Sequence, residues 1–398
     1  MAAASDIYFD YNATAPLLPA AFARMQDAWQ SLPGNPSSPH AFGQAARNAL
    51  ETARAGLARL IGCPRRDLLF TSGGSESNSM LLRAVAEGGL PAHVLTSPIE
   101  HPSVLRACEW LQSRGVAVEY LPVSSQGVVD VAAAVALLRP ETRLVSVMAV
   151  NNETGVAQPL ERLAQAVRGA PAGRDVMLHT DAVQGFGRIP LPVFQWGFDA
   201  VTVTAHKLGG PKGIGALAVR RPDRVAPLIL GGRQERGRRA GTESAALALG
   251  FLAAAEWVWE RFADMAGRLE SLRQRLERRL ATAPGFFVVG AEAPRVPNTA
   301  CVGYEGIAAQ SLLVALDLRG LAVSTGSACS SGALEPSHVL RAMGLPDHRT
   351  ASALRFSLGW GSTEIEVDRA AEIVLAETAR LRAGLAGQGG STFPAAGR

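Results

Sequence analysis

Short apolar runs alternate with segments of helical length and period through the first two thirds of the chain. The helical segments are clearest at 102–113, 131–138 and 159–168. This alternation predicts an α/β fold with a mostly parallel central sheet covered by helices on both faces, because parallel strands are joined by long crossover connections. Seven apolar runs have the length of strands: 68–71, 93–96, 116–120, 144–148, 176–179, 200–203 and 216–219.

The last third of the chain has a different pattern. A helical pattern from about 242 to 283 keeps an apolar face in its second half, and a strand follows it. Helices are then predicted over 308–319 and 364–383, with a strand over 321–323 between them. We interpret this region as a smaller C-terminal α/β domain.

The length of 398 residues is enough for two domains. We expect a large domain over 15–260 and a small domain formed by 1–14 together with 261–384. The tail over 385–398 is rich in small and polar residues, and we expect it to be disordered.

Composition excludes several classes of protein. The chain is 47% hydrophobic and 19% charged, and it has neither an apolar run of membrane-spanning length nor a leader with a basic start. A soluble, cytoplasmic protein without membrane contact is therefore expected. The net charge is only +4, and the densest arginine cluster, at 233–239, has no interleaved aromatic residues. Nucleic-acid binding is accordingly not expected.

The four cysteines are widely spaced, which indicates free thiols in a reducing compartment rather than disulfides or a four-cysteine zinc site. Cys63, Cys108 and Cys301 have apolar neighbours typical of buried positions. Cys329 instead lies among glycines and serines at 324–332, where an exposed and movable thiolate nucleophile is expected. An incidental loop cysteine is the alternative.

Lysine is scarce in this chain. Only two of the 39 basic residues are lysine, and one of them, Lys207, follows the predicted strand 200–203. Lysine, unlike arginine, can lose its proton and condense with a carbonyl. Asp181 ends another predicted strand upstream, and an amine and a carboxylate so placed are what a pyridoxal phosphate (PLP) site requires. The alternative is an ordinary surface lysine.

The segment 70–78 combines a strand, a glycine turn and a helix start. Backbone amides and hydroxyls at Gly74 and Ser75 suit a phosphate group, although the same residues would serve as a capping turn. Thr204 and His206, beside the scarce lysine, are candidates for further phosphate donors. A phosphate cradle is the interpretation that agrees with a PLP site.

Three further polar residues fall near predicted strands. His101 is suited to stacking on a flat ring and to proton transfer; capping the helix that starts at Pro102 is the alternative. Asn152 is suited to hydrogen-bonding a ring hydroxyl or a substrate carboxylate, and a plain asparagine turn would look the same. Arg355 lies inside an apolar strand, which implies a fixed anionic partner, either a substrate carboxylate or a structural ion pair.

Together these segments closely resemble the PLP-dependent cysteine desulfurases of the NifS/IscS type, in the class V aminotransferase family. The resemblance extends over nearly the whole chain. The motif Arg-Arg-Ala-Gly-Thr-Glu at 238–243 is most similar to the corresponding sequence of the NifS-like branch. It is carried by ordered motifs at 8–16, 34–40, 99–103, 151–155, 179–184, 205–207, 234–243 and 326–338.

The resemblance implies a homodimer of PLP fold type I that converts L-cysteine to L-alanine. Sulfur would pass through a persulfide on Cys329 to a protein acceptor such as an iron–sulfur scaffold. Lys207 would bind the cofactor as a Schiff base, and Asp181 would contact its pyridine nitrogen. The other implied roles fall to Gln184 at the ring oxygen, His101 over the ring and in proton transfer, Gly74, Ser75, Thr204 and His206 at the phosphate, Thr242 from the neighbouring subunit at the phosphate, and Asn152 and Arg355 at the substrate carboxylate.

The chain departs from the family pattern at three places. Ser75 and Thr204 replace the usual threonine and serine, and a hydroxyl is retained at each. The tail at 387–398 does not resemble the segment by which housekeeping members engage their scaffold, so the sulfur acceptor stays open. Selenocysteine lyase is the nearest alternative, since it uses the same cofactor in the same way. A transaminase would have no use for Cys329, and a non-catalytic partner would have no use for the reactive residues as a set.

Overall fold

The computed structural model describes residues 6–325 and 336–387. The strands are β1 (Ile7–Tyr8), β2 (Leu68–Thr71), β3 (His93–Thr96), β4 (Ala117–Tyr120), β5 (Thr142–Ser146), β6 (Met177–Asp181), β7 (Ala200–Thr204), β8 (Gly215–Val219), β9 (Phe286–Val288), β10 (Thr299–Tyr304), β11 (Leu321–Ala322) and β12 (Ala353–Ser357). The α-helices are α1 (Pro19–Ser31), α2 (Ala41–Ile61), α3 (Gly74–Glu87), α4 (Pro102–Ser113), α5 (Val131–Ala136), α6 (Leu160–Gly169), α7 (Ala245–Glu260), α8 (Phe262–Leu280), α9 (Ala309–Asp317), α10 (His338–Ala342), α11 (Asp347–Thr350) and α12 (Glu364–Gly387).

The central sheet has seven strands in the order β2-β8-β7-β6-β5-β3-β4. Its strands run parallel except for β8, which is antiparallel to both of its neighbours. The prediction of a mostly parallel central sheet is confirmed. Every residue of β3, β6 and β7 is buried, as expected for strands covered on both faces.

Helices pack on both faces of the central sheet. On one face α7 contributes Phe251 to a large apolar cluster, and on the other α3 contributes Leu81 to a second cluster. Successive residues of a strand point to opposite faces, so Val94 joins the second cluster and Leu95 the first.

Two smaller sheets lie outside the central one. β12, β10 and β9 form an antiparallel sheet in that order, and β1 pairs with β11 in parallel. They share a separate apolar cluster with α8 and α12 that includes Tyr304 and Phe356. Asp10 also forms a bridge to Ser357. The first described residues are therefore joined to strands from the far end of the chain.

The prediction of one helix from about 242 to 283 is wrong. Two helices, α7 and α8, meet at Arg261, whose φ of −113° and ψ of 11° are not helical. α7 is apolar on most sides and packs in the core of the central sheet, whereas α8 has one apolar face that packs with the small sheets. The helix is interrupted because its two halves face different cores.

The C-terminal helix α12 continues to Gly387. The prediction of a disordered tail over 385–398 stays a prediction, and 388–398 lies outside the described residues. The division into domains at 15–260 and at 1–14 with 261–384 stays a prediction. In the described ranges, the search for a helix long and apolar enough to cross a membrane finds none.

Candidate active site

Four predicted site residues meet at the carboxyl edge of the central sheet. Asp181 ends β6, and Lys207 follows β7. Asn152 follows β5, and His101 follows β3. These four strands are consecutive neighbours, and parallel strands place their carboxyl ends at one edge, which is where α/β sheets bind ligands. The structure therefore brings these residues to the same place.

The Asp181 carboxylate is held in a fixed orientation and is 6% exposed. Oδ1 accepts a hydrogen bond from the Val183 backbone N at 2.9 Å, and Oδ2 accepts one from Asn78 Nδ2 at 2.7 Å. Asn78 lies on α3 and also donates to Ser103 Oγ at 2.9 Å. Sequence analysis assigned no role to Asn78, although it ends the glycine-turn segment that was singled out.

The Lys207 amine donates to two backbone carbonyls near the start of the chain, Asn12 O at 2.5 Å and Ala13 O at 2.7 Å. Gln184 Nε2 donates to the same Asn12 carbonyl at 2.9 Å. The segment after β1 therefore forms part of the candidate site, and it fixes the position of the Lys207 amine relative to Gln184.

Asn12 joins the central sheet to the small sheets and is 2% exposed. Its Nδ2 donates to the Asn152 carbonyl at 3.1 Å and to Thr299 Oγ1 at 3.0 Å. Its backbone N donates to Ser357 Oγ at 2.9 Å, and its Oδ1 accepts from Arg188 Nη1 at 2.8 Å. Sequence analysis missed both Asn12 and Arg188. The only signal was their position in or beside the recognised motifs.

His101 is the N-cap of α4, so the capping alternative is realised. Its Nδ1 accepts from the Ser103 backbone N at 3.1 Å, and the two side chains lie within hydrogen-bonding distance at 2.8 Å. With Nδ1 as acceptor, the proton of the neutral ring is on Nε2. Burial lowers the pKa of His101; the charge of Asp181 opposes this shift and that of Lys207 adds to it. Capping occupies only Nδ1, so the neutral ring keeps Nε2–H for another role.

The start of α3 lies against the turn after β6. A Cβ added at Gly74 would lie 2.9 Å from Val183 Cγ2, so glycine allows this close approach. Ser75 is exposed in the first turn, and no side chain at the N-cap position satisfies the free amides of that turn. Glu76 Oε2 accepts from the Ser72 backbone N at 2.8 Å, so a capping turn is present as well.

Thr204 and His206 flank the same edge. The Thr204 hydroxyl donates to Ile214 O at 3.1 Å, and His206 Nδ1 lies 3.2 Å from Thr14 Oγ1. Burial, followed by the charge of Lys207, lowers the pKa of His206 to about 4. The His206 ring is therefore neutral near pH 7, where it can donate or accept a hydrogen bond without carrying charge.

Thr242 is exposed in the segment that leads into α7. This segment approaches the start of α3, because Arg239 Nε lies 3.0 Å from Glu76 Oε1 in an ion pair. Its other anchor is Glu235, which accepts from the Phe70 backbone N at 3.0 Å. The role in a neighbouring subunit that the family resemblance implies for Thr242 stays a prediction.

Arg355 is 3% exposed and has the ion-pair partner that one of its two interpretations required. Its Nη2 lies 2.6 Å from Asp10 Oδ1, and its Nη1 donates to the Asn152 carbonyl at 3.1 Å. The Asn152 carbonyl thus accepts from both Arg355 and Asn12. The Nε of Arg355 has no hydrogen-bond partner in the described part of the chain.

Cys329 lies outside the described residues, but both flanks of its segment are anchored beside the site. Ser324 and Arg355 exchange backbone hydrogen bonds of 3.1 and 2.6 Å. Ser337 Oγ donates to Glu153 Oε2 at 2.5 Å, and Leu340 N donates to the same Ser337 hydroxyl. The two flanks therefore attach at residues next to Asn152 and within β12.

Comparison with known proteins gives the family. The aminotransferase class-V family model matches residues 7–370. A cysteine desulfurase of Gluconacetobacter diazotrophicus is 42% identical over 380 residues, covering 94% of each chain. The solved structure of a NifS-like protein superimposes with a TM-score of 0.88 at 33% identity, over 94% of this chain and 100% of that one. The chain belongs to the class-V aminotransferase family.

Within that family it belongs with the cysteine desulfurases, since relatives described as cysteine desulfurases are 38–42% identical over 94–95% of this chain. A further solved structure, described as SspA in complex with cysteine, is 32% identical with a TM-score of 0.77, over 88% of this chain and 98% of that one. These similarities confirm the family predicted from the sequence motifs and the α/β fold of PLP fold type I.

Proposed function

We propose that this protein removes sulfur from L-cysteine, releases L-alanine and carries the sulfur as a persulfide on Cys329, with PLP as cofactor. The observation that carries the proposal is the placement of one scarce lysine, Lys207, beside Asp181 on neighbouring strand ends of a cysteine desulfurase fold. A sheet edge of this type binds ligands, and an amine paired with a carboxylate suits this cofactor.

The residues present fit PLP. The first-turn amides of α3 lack an N-cap side chain and are suited to a phosphate, and Ser75 lies in that turn. Thr204 and His206 are at and after the end of β7, whose Thr202 is 3.7 Å from a Cβ added at Gly74. Asp181 is a fixed buried carboxylate, which suits a protonated ring nitrogen. Gly74 leaves room between α3 and the turn after β6.

When bound, PLP supplies an electron sink that makes the substrate α-proton and the β-sulfur labile. Lys207 would hold the cofactor and then move the α-proton as a base. His101, neutral with its proton on Nε2, would stack on the ring and transfer protons. Gln184 would donate to the ring oxygen from Nε2. Thr242 of a second copy would add a phosphate contact.

Arg355 and Asn152 would bind the substrate carboxylate. The guanidinium is already desolvated, with one nitrogen on Asp10 and one on the Asn152 carbonyl. An incoming carboxylate would approach the edge that carries the unpartnered Nε, where it would compete with Asp10 for Nη2. Asp10 thus keeps the arginine charge compensated before substrate binds.

The Cys329 thiolate would attack the substrate sulfur. The new S–S bond forms as the substrate C–S bond breaks, and the electron pair of the broken bond stays with the carbon fragment, which is protonated and released as L-alanine. A protein acceptor such as an iron–sulfur scaffold would then take the terminal sulfur by thiol exchange.

A homodimer in the cytoplasm completes the proposal. Phe22 and Trp29 lie seven residues apart on α1 and are 52% and 59% exposed, so they present one apolar face to a second copy. Cys63, Cys108 and Cys301 are free thiols, in agreement with a reducing compartment.

The test measures L-alanine and sulfide released from L-cysteine by the PLP-loaded protein in the presence of a thiol reductant. We expect equal amounts from the wild type and a loss of at least about 100-fold in Cys329→Ser, with the visible cofactor band retained. Cys63→Ser is the matched control, because burial raises the pKa of the Cys63 thiol to about 12 and keeps it unreactive. Normal turnover by Cys329→Ser would refute the assignment of the nucleophile.

A further inference from the structure

Arg188 lies at the candidate site and has no assigned role. It follows Gln184 by four residues, and its Nη1 donates to three oxygens: Asn12 Oδ1 at 2.8 Å, the Gln184 carbonyl at 3.5 Å and Gln184 Oε1. No carboxylate among residues 6–325 and 336–387 forms an ion pair with it, whereas Arg239 and Arg355 near the site each have one. Its surroundings are amides and carbonyls.

This position is unfavourable for a charge. Burial lowers the pKa of Arg188, and the positive charge of Arg355 acts in the same direction. Arg188 also lines a cavity of about 40 Å³ together with Lys207, Tyr11 and Asn298. Arg188 is half-buried, and a partly desolvated cation without a counter-charge among the described residues is unfavourable for a fold; such groups concentrate at functional sites.

The contacts of Arg188 determine which way the Gln184 side-chain amide is turned. The Gln184 Oε1 accepts from Arg188, and the Gln184 Nε2 donates to the Asn12 carbonyl. The flipped amide would bring its NH2 group against the guanidinium and its oxygen against the Asn12 carbonyl, so both contacts would become repulsive. The second hydrogen of Nε2 has no partner among the described residues and stays available to a bound acceptor.

The same cation orients the Asn12 side chain. Asn12 Oδ1 accepts from Arg188 and, at 3.2 Å, from Asn298 Nδ2. Nδ2 must then be the donor, and it binds the Asn152 carbonyl and Thr299 Oγ1. The Arg188 guanidinium therefore fixes the orientation of two side-chain amides, those of Gln184 and Asn12. The NH2 group of each amide is turned toward the candidate site or toward residues beside it.

We propose that Arg188 is a positioning residue for the cofactor: by donating to Gln184 Oε1 and Asn12 Oδ1, it keeps Gln184 Nε2 as a hydrogen-bond donor toward the anionic ring oxygen of PLP. The inference rests on the proposed function. It predicts that Arg188 acts on cofactor binding through Gln184, and that without it the amide would present its oxygen to the cofactor in part of the molecules.

The test is a titration of cofactor-free protein with PLP, followed by the visible absorbance band without any substrate. We compare wild type, Arg188→Met, Arg188→Lys, Gln184→Ala and the Arg188→Met/Gln184→Ala double variant. Arg188→Met should weaken PLP binding by about tenfold or more, since a lost charge-assisted orienting bond is worth about that much. Arg188→Lys, which keeps the charge and a donor, should bind within about threefold of wild type.

The double variant distinguishes positioning from a general effect. If Arg188 acts through Gln184, the double variant should bind PLP within about twofold of Gln184→Ala alone, because coupled residues are not additive. A tenfold loss in both backgrounds, or wild-type binding by Arg188→Met, would overturn the inference. Thermal unfolding of the cofactor-free variants is the second readout; a merely structural residue would lower the midpoint in both backgrounds equally.

Failure of the inference is distinct from failure of the proposed function. A wild-type protein that forms no visible band with PLP would remove both, whereas a normal wild-type band with an unaffected Arg188→Met variant would remove the inference alone. If Arg188→Met does not fold, Arg188→Gln provides the same comparison, because it removes the charge and keeps a polar side chain.

Discussion

Arg54 and Arg188 lie in two regions of the molecule and have opposite kinds of partner: Arg54 is paired with carboxylates, and Arg188 is bound to neutral oxygens. At the outer part of the central sheet, Arg54 binds Glu235 through two hydrogen bonds of 2.7 Å and also donates to the Leu68 carbonyl. Burial lowers the pKa of Arg54, but Glu235 and, to a smaller extent, Glu51 together more than offset this effect and raise it. Beside the candidate site, the partners of Arg188 within the described ranges are amide and carbonyl oxygens.

The two arginines have different partners because each one holds a different part of the molecule in place. Glu235 and Arg236 have φ of 45° and 59°, a backbone conformation that is unusual for residues with side chains. The ion pair to Arg54 fixes this strained turn against β2, and with it the segment that leads to Thr242. A carboxylate beside Arg188 would instead take its hydrogen bonds away from Gln184 and Asn12. Arg54, paired with Glu235, therefore fixes a backbone turn. Arg188, which has no carboxylate partner among the described residues, orients the neighbouring side-chain amides.

The largest effect is expected from breaking the paired arginine. Glu235→Gln removes the fully buried partner of the Arg54 guanidinium, which is 4% exposed, and leaves the one-third exposed carboxylate of Glu51, 2.9 Å from Nε, as the remaining counter-charge. The free energy of unfolding should fall by about 3 kcal/mol, the lower end of the cost of losing one partner of a buried pair, because Glu51 still compensates part of the charge; urea denaturation measures it. The control is the Arg54→Met/Glu235→Leu double variant, which should recover most of that loss because no charge stays buried. A loss below about 1 kcal/mol in Glu235→Gln would show that the two regions do not differ as described.

A buried acid without an arginine partner should behave differently from Glu235. Glu100 is 0% exposed; its Oε1 accepts from Ser97 and from Met148 N, and its Oε2 has no partner in the described ranges. Burial raises the pKa of Glu100 to about 8, against the hydrogen bonds from Ser97 and Met148 and with the charge of Asp181. The neutral carboxyl therefore contributes stability at low pH that is lost as pH rises toward 8.

Glu100→Gln removes this dependence, because an amide cannot ionise. Between about pH 5.5 and 7.5 the free energy of unfolding of the wild type should fall by on the order of 2 kcal/mol relative to Glu100→Gln. Urea denaturation across this pH range measures the difference, with Glu87→Gln as the exposed control. Parallel pH curves for wild type and Glu100→Gln would mean that Glu100 is ionised in the folded protein.

The smallest effect is expected where an arginine pair faces water. Arg83 and Glu87 lie one turn apart on α3 at 2.9 Å, and their side chains are 43% and 45% exposed. Glu87→Gln should change the free energy of unfolding by less than about 0.5 kcal/mol, and about 1 M salt should abolish the difference. A loss comparable to that of Glu235→Gln would mean that burial is not what separates these pairs.

The sequence was sufficient for the parts of the fold and site that depend on local pattern. Lys207 and Asp181 were found because a scarce residue type and a polar residue each follow an apolar strand, and strand ends have predictable locations in a parallel sheet. The interruption at Arg261 was missed because both halves of that segment have helical periodicity, and only the tertiary structure reveals that they face different cores.

The residues that orient the site were not predictable in the same way. Asn12 acts through contacts with residues more than 100 positions away, such as Asn152 and Ser357, and no local pattern records such contacts. Arg188 is one of many arginines in the chain, and what sets it apart is its contact with the side-chain amides of Gln184 and Asn12. Such contacts are visible only in three dimensions.

The position of Asn12 has a consequence for how the protein is made. Its backbone N is bound by a residue 345 positions later in the chain, and β1 pairs with β11 near position 321. During synthesis the ribosome adds about 5–20 residues per second, so the segment that holds the Lys207 amine waits tens of seconds for its partners. The central sheet can form while the chain is growing, but the amine gains its carbonyl partners in their final position only after β12 has emerged. A truncated or stalled chain therefore has a lysine that is present but not positioned, and translation completes the site last.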